Sequence, residues 1–536
     1  MSLLLLHRWS PAAAALVLLL ASHACVSPDE RAPGEEADRP DVLFIAIDDM
    51  NDWITPLGGY PGTVHTPSLE RLAEQGMTFT NAHVPAVSCN PSRIAVLTGV
   101  RPSTSGVYDL RTLWYEAPAL QGVATLPAHF RANGYRTLGT GKIFHALSWL
   151  NGDYGVDQND VNAWDEFHPS LDQQMPDARF PEGTVRTVDE QGFWLYEWER
   201  IAAGAGELSE IDVPYYMDWA PFPAGEPFPD EQVTDWAVDQ LGREHEQPLF
   251  LAVGIFRPHI PWFVPEEFFD LYPLSDIRLP EPGDWREGLP DAGQRMGAER
   301  REWHRWIEAN GEWARAVQGY MASISFADAQ VGRLLDALEA SGRADNTIIV
   351  LWSDHGFHLG ERETWEKFTL WEESTRVPFM VVAPGRVQPG TRSARAVDLL
   401  DIYPTLVELA GVPAPGHEFE GGSLAPWFLD PARPRDRPAI STAASGQHTV
   451  RTDRWRYIRY RDGSGELYDH AVDPEERVNL VGDRVYADTL AMLARWLEPI
   501  LAAEAARDRD GSGDRDGSGD AVGSTASSGA REPGGL

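Results

Sequence analysis

Three stretches of the chain consist almost entirely of apolar residues, and they restrict its fold more than any other feature. They are residues 41–47, 248–256 and 347–352. A strand with one face in water alternates apolar and polar side chains, so an unbroken apolar run predicts a strand buried on both faces. Helical patterns, above all the one at 313–341, lie among these strands. The alternation predicts an α/β fold with a large, mostly parallel sheet sandwiched by helices.

Shorter elements complete this prediction. Further strands are predicted at 78–82, 135–144 and 377–383, and further helices at 67–75, 91–98, 398–410 and 485–503. Thr66 is the predicted N-cap of the helix at 67–75, and Pro404 is a predicted kink in the helix at 398–410. Residues 454–460 alternate and are followed by an Asp462-Gly463 turn, which predicts an antiparallel sheet in a smaller C-terminal α+β subdomain.

The composition of the chain also changes along its length, and these changes indicate its domain boundaries. The first residues have a charged start, an apolar centre and a small-residue cleavage signal. This pattern predicts a signal peptide, and an uncleaved anchor is the alternative. The predicted parts are a signal peptide at 1–24, a flexible tether at 25–40, a large domain at 41–433, the C-terminal subdomain at 434–505 and a disordered Asp/Gly/Ser-rich tail at 506–536.

The net charge and the cysteine content restrict which partners and which cell compartment are expected for this protein. A formal net charge of −37 repels nucleic acid, so no nucleic-acid partner is expected, but it is compatible with one anionic group captured in a deep pocket. The two cysteines, Cys25 and Cys89, cannot form a disulfide framework. Cys25 follows the predicted cleavage point and is a candidate lipid anchor. We therefore expect an exported protein: periplasmic, a cell-surface lipoprotein, or extracellular.

Charged residues follow several predicted strands where those strands end. Asp48 and Asp49 follow the first strand, Asp354 follows the strand at 347–352, and Lys142 and His145 lie at the end of another. In an open parallel sheet this edge is where ligands bind. Paired carboxylates beside apolar strands are costly unless a cation neutralises them, and carboxylate oxygens suit Ca²⁺ or Mg²⁺. The sequence therefore predicts a divalent-cation site.

Cys89 lies beside a predicted helix N-terminus, because Pro91 is a favourable first-turn residue. The free N–H groups and the dipole at that point favour an anion. Arg93, about one turn further on, can reach the same point with its guanidinium. Cys89 is either a small buried apolar residue or a chemically active group, and a thiolate nucleophile is one interpretation.

The segment Cys89-Asn90-Pro91-Ser92-Arg93, followed by Leu97-Thr98-Gly99, resembles the signature of the sulfatases, a family of the alkaline-phosphatase-like superfamily. Other segments resemble further sulfatase blocks in the same order along the chain: Asp48-Asp49, Gly141-Lys142-Ile143-Phe144-His145, Arg257-Pro258-His259-Ile260-Pro261, Ser353-Asp354-His355-Gly356 and Trp365-Glu366-Lys367. The resemblance covers about residues 40–500 and implies that residues 41–433 form a catalytic sulfatase domain.

The resemblance also implies the chemistry of the site. A formylglycine-generating maturation enzyme would oxidise Cys89 to formylglycine, whose hydrate attacks sulfur. One Ca²⁺, with Mg²⁺ less favoured, would be held by Asp48, Asp49, Cys89, Asp354 and His355. The sulfate oxygens would be held by Arg93, Lys142 and Lys367. His259 would protonate the departing sugar oxygen, and His145 would take a proton from the hydrate.

Two details are similar to the iduronate-2-sulfatase branch of the family: His355 stands where many sulfatases have Asn, and the Arg257 to Pro261 segment has that branch's form. The expected substrate is a sulfated saccharide, as in glycosaminoglycan degradation. Tryptophans of the irregular stretch between 146 and 239 could stack on sugar rings or pack that stretch onto the core: Trp149, Trp164, Trp194, Trp198 and Trp219. The alternatives are a phosphoesterase or phosphonate hydrolase of the same superfamily, and a non-catalytic glycan-binding protein with unmodified Cys89.

Overall fold

A computed structural model describes most of the chain. It covers residues 39–145, 158–169, 219–222, 227–281 and 286–509, together with the strands Val185–Val188 and Trp194–Glu197. The predicted signal peptide at 1–24, Cys25, Trp149, Trp198 and the chain beyond residue 509 lie outside the described residues. None of the described helices is both long and apolar enough to cross a membrane.

An eight-stranded sheet forms the centre of the molecule. Its strands are β1 Asp41–Ile47, β2 Met77–Phe79, β3 Arg136–Gly141, β4 Glu166–His168, β5 Leu249–Ile255, β6 Thr347–Ser353, β7 Phe379–Val382 and β8 Thr391–Ser393. They are ordered β8-β2-β7-β6-β1-β5-β3-β4. Only β7 is antiparallel to its neighbours in this sheet. The predicted large, mostly parallel sheet is therefore confirmed.

Helices cover both faces of this sheet, and the last two described helices pack on the C-terminal part of the chain. The described helices are α1 Pro67–Gln75, α2 Cys89–Thr98, α3 Pro102–Ser105, α4 Leu126–Ala132, α5 Pro229–Leu241, α6 Glu266–Asp270, α7 Asp291–Arg295, α8 Arg301–Ala309, α9 Trp313–Ala340, α10 Glu372–Thr375, α11 Ile402–Ala410, α12 Ala425–Leu429, α13 Ala487–Ala494 and α14 Glu498–Arg509. Alternate residues of β1 join two separate apolar clusters, one on each face of the sheet. This is why β1 needs apolar side chains on both faces.

Four pairs of short strands form separate two-stranded sheets among the described residues. They are Ala82–His83 with Val397–Asp398, Val185–Val188 with Trp194–Glu197, Trp219–Phe222 with Trp262–Pro265, and His358–Leu359 with Trp365–Glu366. The last pair turns the chain just before Lys367, so it determines where that side chain can point.

Several predicted elements differ in detail from the structure. The strand predicted at 135–144 ends at Gly141, so Lys142 and His145 lie beyond it. Pro404 lies in the first turn of α11, where a proline needs no kink because the N–H groups there have no partner within the helix. The single helix predicted at 485–503 is two helices, α13 and α14, and α14 runs to Arg509, past the predicted start of the tail at residue 506.

The hydroxyl of Thr66 does not cap α1, although Thr66 occupies the predicted N-cap position. The Asp328 carboxylate of α9 performs that function, since it accepts hydrogen bonds from the backbone N–H groups of Ser68 and Leu69 at 3.0 and 2.8 Å. An acidic side chain at a helix N-terminus satisfies unpaired N–H groups and complements the helix dipole. The cap therefore comes from a distant residue.

A second, four-stranded antiparallel sheet follows in the C-terminal region, as predicted. Its strands, in both spatial and chain order, are β9 Ala439–Ala444, β10 Gln447–Arg451, β11 Trp455–Arg459 and β12 Gly465–Asp469. Arg456 of β11 is fully buried and forms ion pairs with Glu372 and Glu476. Its guanidinium also donates to the Leu370 carbonyl at 2.9 Å. A buried ionic contact thus joins this sheet to the segment that follows Lys367.

Candidate active site

The predicted cluster of carboxylates forms where β1 and β6 end side by side. Ile47 pairs with Ser353 in register, so the residues after each strand are neighbours. Asp48, Asp49 and Asp354 have no exposed surface. The Asp49 N–H donates to Asp354 Oδ1 at 3.1 Å, which joins the two strand ends directly. The parallel pairing of two buried strands therefore brings together acidic residues that are about 300 positions apart in the sequence.

Cys89 is the first residue of α2, so its side chain lies at a helix N-terminus, as predicted. Its Sγ atom lies 3.1 Å from His355 Nε2, 3.2 Å from Lys367 Nζ and 3.7 Å from Lys142 Nζ. Burial alone would raise the pKa of the Cys89 thiol. The ammonium groups of Lys142 and Lys367 together have the larger effect, and the pKa falls to about 6. The site therefore favours negative charge at this atom.

Lys142 and Lys367 are the only lysines in the sequence, among 45 lysine and arginine residues. Both are buried, and each pairs with a carboxylate: Lys142 Nζ with Asp48, and Lys367 Nζ with Asp49 Oδ1 at 2.8 Å. A compact ammonium with rotatable donors differs from the planar fork of a guanidinium. Both lysines of the chain therefore lie in this site, where Arg93 is the neighbouring guanidinium.

Arg93 orients the carboxylates in this structure. Its guanidinium is fully buried and donates to Asp354 Oδ2 at 2.8 Å and to Asp48 Oδ1 at 3.0 Å. It also donates to the carbonyls of Lys142 and Ile143. Burial raises the pKa of Asp48, but Lys142 and Arg93 lower it well below its ordinary value. Contact of Arg93 with sulfate stays a prediction.

The residues of this site fit a divalent cation. Ligand atoms of Asp48, Asp49, Cys89 and His355 all lie within 4.8 Å of one another. Asp49 Oδ2 is buried and has no hydrogen-bond partner among the described residues. Burial raises the pKa of Asp49 to about 6 and that of Asp354 to about 7, even though Lys367 and Arg93 lower these values, so the charge of the two carboxylates is only partly compensated. Asp354 lies at the border of the cluster, with Oδ2 3.7 Å from His355 Nε2.

Two further histidines border the same site. His259 Nδ1 contacts the Ile260 carbonyl at 2.6 Å, and Nε2 lies 3.8 Å from Asp49 Oδ2 with the side chain 22% exposed. Its pKa is lowered to about 4 by burial and by the two lysines, and a bound anion would raise it. His145 is buried, and neither of its ring nitrogens has a partner among the described residues. Burial lowers its pKa well below the ordinary value.

Supporting residues that the sequence did not reveal hold these groups in place. The Tyr320 hydroxyl of α9 donates to the Asp49 carbonyl at 2.8 Å and accepts from the Asn51 N–H at 2.9 Å. It fixes Asp49, whose φ of 60° is unusual for a residue other than glycine. Asp230 accepts from the N–H groups of Phe256 and Arg257 at 2.7 and 2.9 Å, which fixes the segment before His259. These contacts join distant positions, and no local pattern indicates them.

Other residues singled out in the sequence have structural contacts. The Asn90 side chain is buried and donates to the carbonyls of Asp109 and Thr112 at 2.8 and 3.0 Å. Trp164 is buried against Phe167, with ring centres 5.4 Å apart. Trp219 stacks on Trp262 at 6.0 Å. These two tryptophans pack on the protein, which favours the packing interpretation at their positions.

Comparison with known families identifies the class. A family model described as Sulfatase matches residues 40–412, and a second, described as N-sulphoglucosamine sulphohydrolase, C-terminal, matches residues 360–502. The first match covers more than half of the chain. The chain therefore belongs to the sulfatase family, and the family expected from the Cys89 signature is confirmed.

Relatives and solved structures agree with this assignment. A sulfatase of Formosa agariphila is 36% identical over 475 residues, which is 87% of each chain. Iduronate 2-sulfatase of Homo sapiens is 31% identical over 437 residues, 74% of each chain. A solved structure described as a complex with its substrate D-glucosamine-2-N,6-O-disulfate matches with a TM-score of 0.66 at 21% identity, over 88% of this chain and 99% of that chain. At this identity the structural match shows the fold, in agreement with the prediction.

Proposed function

We propose that this protein is an exported, calcium-dependent sulfatase that releases inorganic sulfate from a sulfated sugar of the iduronate-2-sulfate class. The observation that carries the proposal is the convergence on one atom. Cys89 Sγ lies within 3.7 Å of two ammonium groups and an imidazole, beside a cluster of buried carboxylates. This arrangement brings a candidate nucleophile together with ligands for a cation and donors for a tetrahedral anion.

In this proposal Cys89 is oxidised to formylglycine, and its Sγ atom stands in for an oxygen of the aldehyde hydrate. The hydrate supplies two hydroxyls on one carbon, one to attack sulfur and one whose deprotonation later expels sulfate. A calcium ion held by Asp48, Asp49, Asp354, His355 and residue 89 would polarise the sulfate oxygens. Replacement of sulfur by oxygen at residue 89 also makes the ligand set harder, which suits calcium.

The side chains around residue 89 then have distinct tasks. Lys142 and Lys367 offer ammonium donors to the sulfate oxygens from the positions they occupy beside Sγ. Arg93 holds the carboxylates in place. His259, the more exposed of the two histidines, faces the leaving group and protonates its oxygen. His145, buried and without a described partner, takes the proton of the second hydroxyl.

The sugar assignment is supported by relatives. The human relative at 31% identity over 74% of the chain is named for iduronate 2-sulfate. A fold neighbour binds a disulfated glucosamine. A net charge of −37 disfavours a long polyanion spread over the surface and favours one sulfate group in a deep pocket. Export is supported by the signal-peptide pattern at residues 1–24.

The test is to produce the chain with a formylglycine-generating enzyme and to measure two quantities. The first is the mass of the peptide that contains residue 89, which falls by about 18 Da on oxidation of the thiol to the aldehyde. The second is free sulfate released from a panel that includes a 2-O-sulfated iduronate disaccharide, a 6-O-sulfated glucosamine and an aryl sulfate. We expect sulfate release that peaks on the iduronate substrate and is absent in Cys89→Ala.

Other outcomes separate the alternatives. Turnover of an aryl phosphonate or phosphate ester faster than any sulfate would assign the phosphoester alternative. Sugar binding without turnover, with the thiol intact after co-expression, would indicate a non-catalytic glycan-binding protein. The leaving-group role of His259 has its own test: His259→Ala should slow sugar sulfates far more than aryl sulfates, whose leaving group needs no proton. Equal losses on both substrates would contradict that role.

A further inference from the structure

The segment from Arg362 to Phe368, here called the Lys367 segment, has an unusual backbone. Four of its residues other than glycine lie in the left-handed region, with φ of 53° at Arg362, 54° at Glu363, 66° at Glu366 and 74° at Phe368. L-residues adopt this region at a cost in free energy and stay there only when their surroundings hold them. Glu366 and Phe368 flank Lys367 directly, so the position of its ammonium depends on whatever holds these two neighbours.

Arg300 contacts both neighbours. Its Nε donates to Glu366 Oε2 at 2.8 Å, in an ion pair whose two side chains are 7% and 4% exposed. Its guanidinium carbon also lies 4.7 Å from the centre of the Phe368 ring. A planar guanidinium can make an in-plane hydrogen bond and stack on an aromatic face at the same time, which an ammonium cannot. One side chain therefore restrains the residues before and after Lys367.

The turn that carries Arg300 is itself attached to the Lys367 segment. The Gly297 carbonyl accepts from Thr364 Oγ1 at 3.0 Å. Gly297 has φ of 69°, and a Cβ there would lie 2.4 Å from Thr364 Oγ1, so the approach requires glycine. The Leu370 N–H contacts Met296 Sδ at 3.3 Å. Residues 296–300 thus lie along the segment on one side and determine where the Arg300 guanidinium points.

The other side of the segment faces the nucleophile. The Phe368 N–H donates to the Val87 carbonyl at 3.1 Å, two residues before Cys89. The Lys367 ammonium lies 2.8 Å from Asp49 Oδ1 and 3.2 Å from Cys89 Sγ. The restraint by Arg300 is therefore transmitted over one residue to the atoms that react.

We infer that Arg300 is a positioning residue: by holding Glu366 and Phe368 in the left-handed region, it keeps the Lys367 ammonium beside residue 89. The inference rests on the proposed function, in which Lys367 binds a sulfate oxygen. Without Arg300 the two neighbours relax toward negative φ and the ammonium leaves the position where charge develops in the transition state.

A double-mutant cycle tests this inference, with kcat/KM measured on an aryl sulfate for four proteins: wild type, Arg300→Gln, Lys367→Met and the double variant. If Arg300 acts through Lys367, its replacement lowers kcat/KM about 10- to 100-fold in the wild-type background and less than about 2-fold in the Lys367→Met background. Equal losses in both backgrounds would overturn the inference. Each protein is first checked for conversion of Cys89 by peptide mass.

A spectroscopic readout separates positioning from general damage. Because the sequence contains two lysines, the chain labelled with ¹³C-lysine gives two side-chain signals, which Lys367→Met assigns. We expect Arg300→Gln to move the Lys367 Cε signal toward the value of a solvated lysine and to leave the Lys142 signal in place. Unchanged signals from both lysines would overturn the inference, and so would equal movement of both.

Controls keep the test decisive. Arg295→Gln removes an exposed arginine near the same turn, and we expect it to retain wild-type kcat/KM and both lysine signals. If Arg300→Gln does not fold, Glu366→Ala replaces it in the double-mutant cycle, because this variant removes the other partner of the ion pair. The same fold-changes are then expected. If converted wild type hydrolyses no sulfate ester, the proposed function fails. Measurable wild-type turnover with an additive cycle refutes only the role of Arg300.

Discussion

The acidity of the unoxidised Cys89 thiol is a direct measure of the electrostatics of this pocket. Produced without a maturation enzyme, the chain keeps the thiol, whose pKa the surrounding charges lower to about 6. Lys367→Met removes an ammonium 3.2 Å from Sγ while it preserves most of the side-chain volume. At that distance Coulomb's law gives about 5 kcal/mol for an effective dielectric constant of about 20, and about 1 kcal/mol for bulk water.

These energies correspond to about 4 and about 1 pKa units, so we expect the thiol pKa in Lys367→Met to rise from about 6 to at least about 7. Lys142→Met should raise it at least as much, because that ammonium contributes most to the lowered thiol pKa from 3.7 Å away and also pairs with Asp48, whose negative charge would then act on the thiol unscreened. The assay is the pH dependence of thiol modification by a small methanethiosulfonate, with a chelator present and the peptide of residue 89 quantified by mass. The exposed Arg295→Met variant is the control and should leave the pKa unchanged.

A wild-type pKa at or above the ordinary thiol value of about 8.5 would refute the reasoning, because the two ammonium groups would then not act on Sγ. A low wild-type pKa that does not change in Lys367→Met would place its cause elsewhere, in the helix N-terminus of α2 or in Lys142. The experiment needs neither substrate nor bound metal, so it tests the pocket independently of turnover.

Three other predictions concern stability and the cation. Burial raises the pKa of Glu504, but hydrogen bonds from His448 and other groups lower it below 4.5, so its stabilisation is present above that pH and lost as the pH falls through the folded-state value. Thermal unfolding of Glu504→Gln should therefore show a loss of about 2 kcal/mol near pH 7 that shrinks in acid, and a pH-independent loss would contradict the assignment. Tyr320→Phe removes the hydroxyl contacts to Asp49 and Asn51 and should cost about 1–3 kcal/mol in urea unfolding, with no loss if those contacts are unimportant. Chelation should abolish sulfate release, and Ca²⁺ should restore it better than Mg²⁺. The measurement is sulfate release after dialysis against a chelator and addition of each cation. Better recovery with Mg²⁺ would assign Mg²⁺ to the site.

The sequence predicted that the acidic residues of the site meet for a simple reason. The end of a strand can be recognised in the local sequence, and residues that follow parallel strands lie at the same edge of the sheet. Asp48 and Asp354 each follow an apolar strand, and parallel pairing of those strands was enough to predict that the carboxylates meet. The Cys89 signature added the candidate nucleophile. Neither argument depends on how the irregular parts of the chain fold.

What the sequence did not reveal depends on contacts between distant positions. Asp328 caps α1 from α9, and Asp230 holds the segment before His259, yet each looks like an ordinary acidic residue in its own helix. The left-handed conformation of Glu366 and Phe368 is likewise invisible, because neither residue is a glycine or an asparagine. Tertiary packing decides such positions, and local propensity does not report it.

The boundary predicted at residue 433 marks a change from one sheet to another. The two parts cannot be separated there, because the buried guanidinium of Arg456 connects them. A protein truncated there would leave Glu372 without Arg451 and Arg456, both of which bind its carboxylate in the intact chain. Loss of both guanidinium partners from a largely buried carboxylate is strongly destabilising. Because Glu372 lies five residues after Lys367, the loss of these contacts would act next to the candidate active site. The C-terminal sheet is therefore needed to support the candidate active site, and a shortened version for engineering has to retain it.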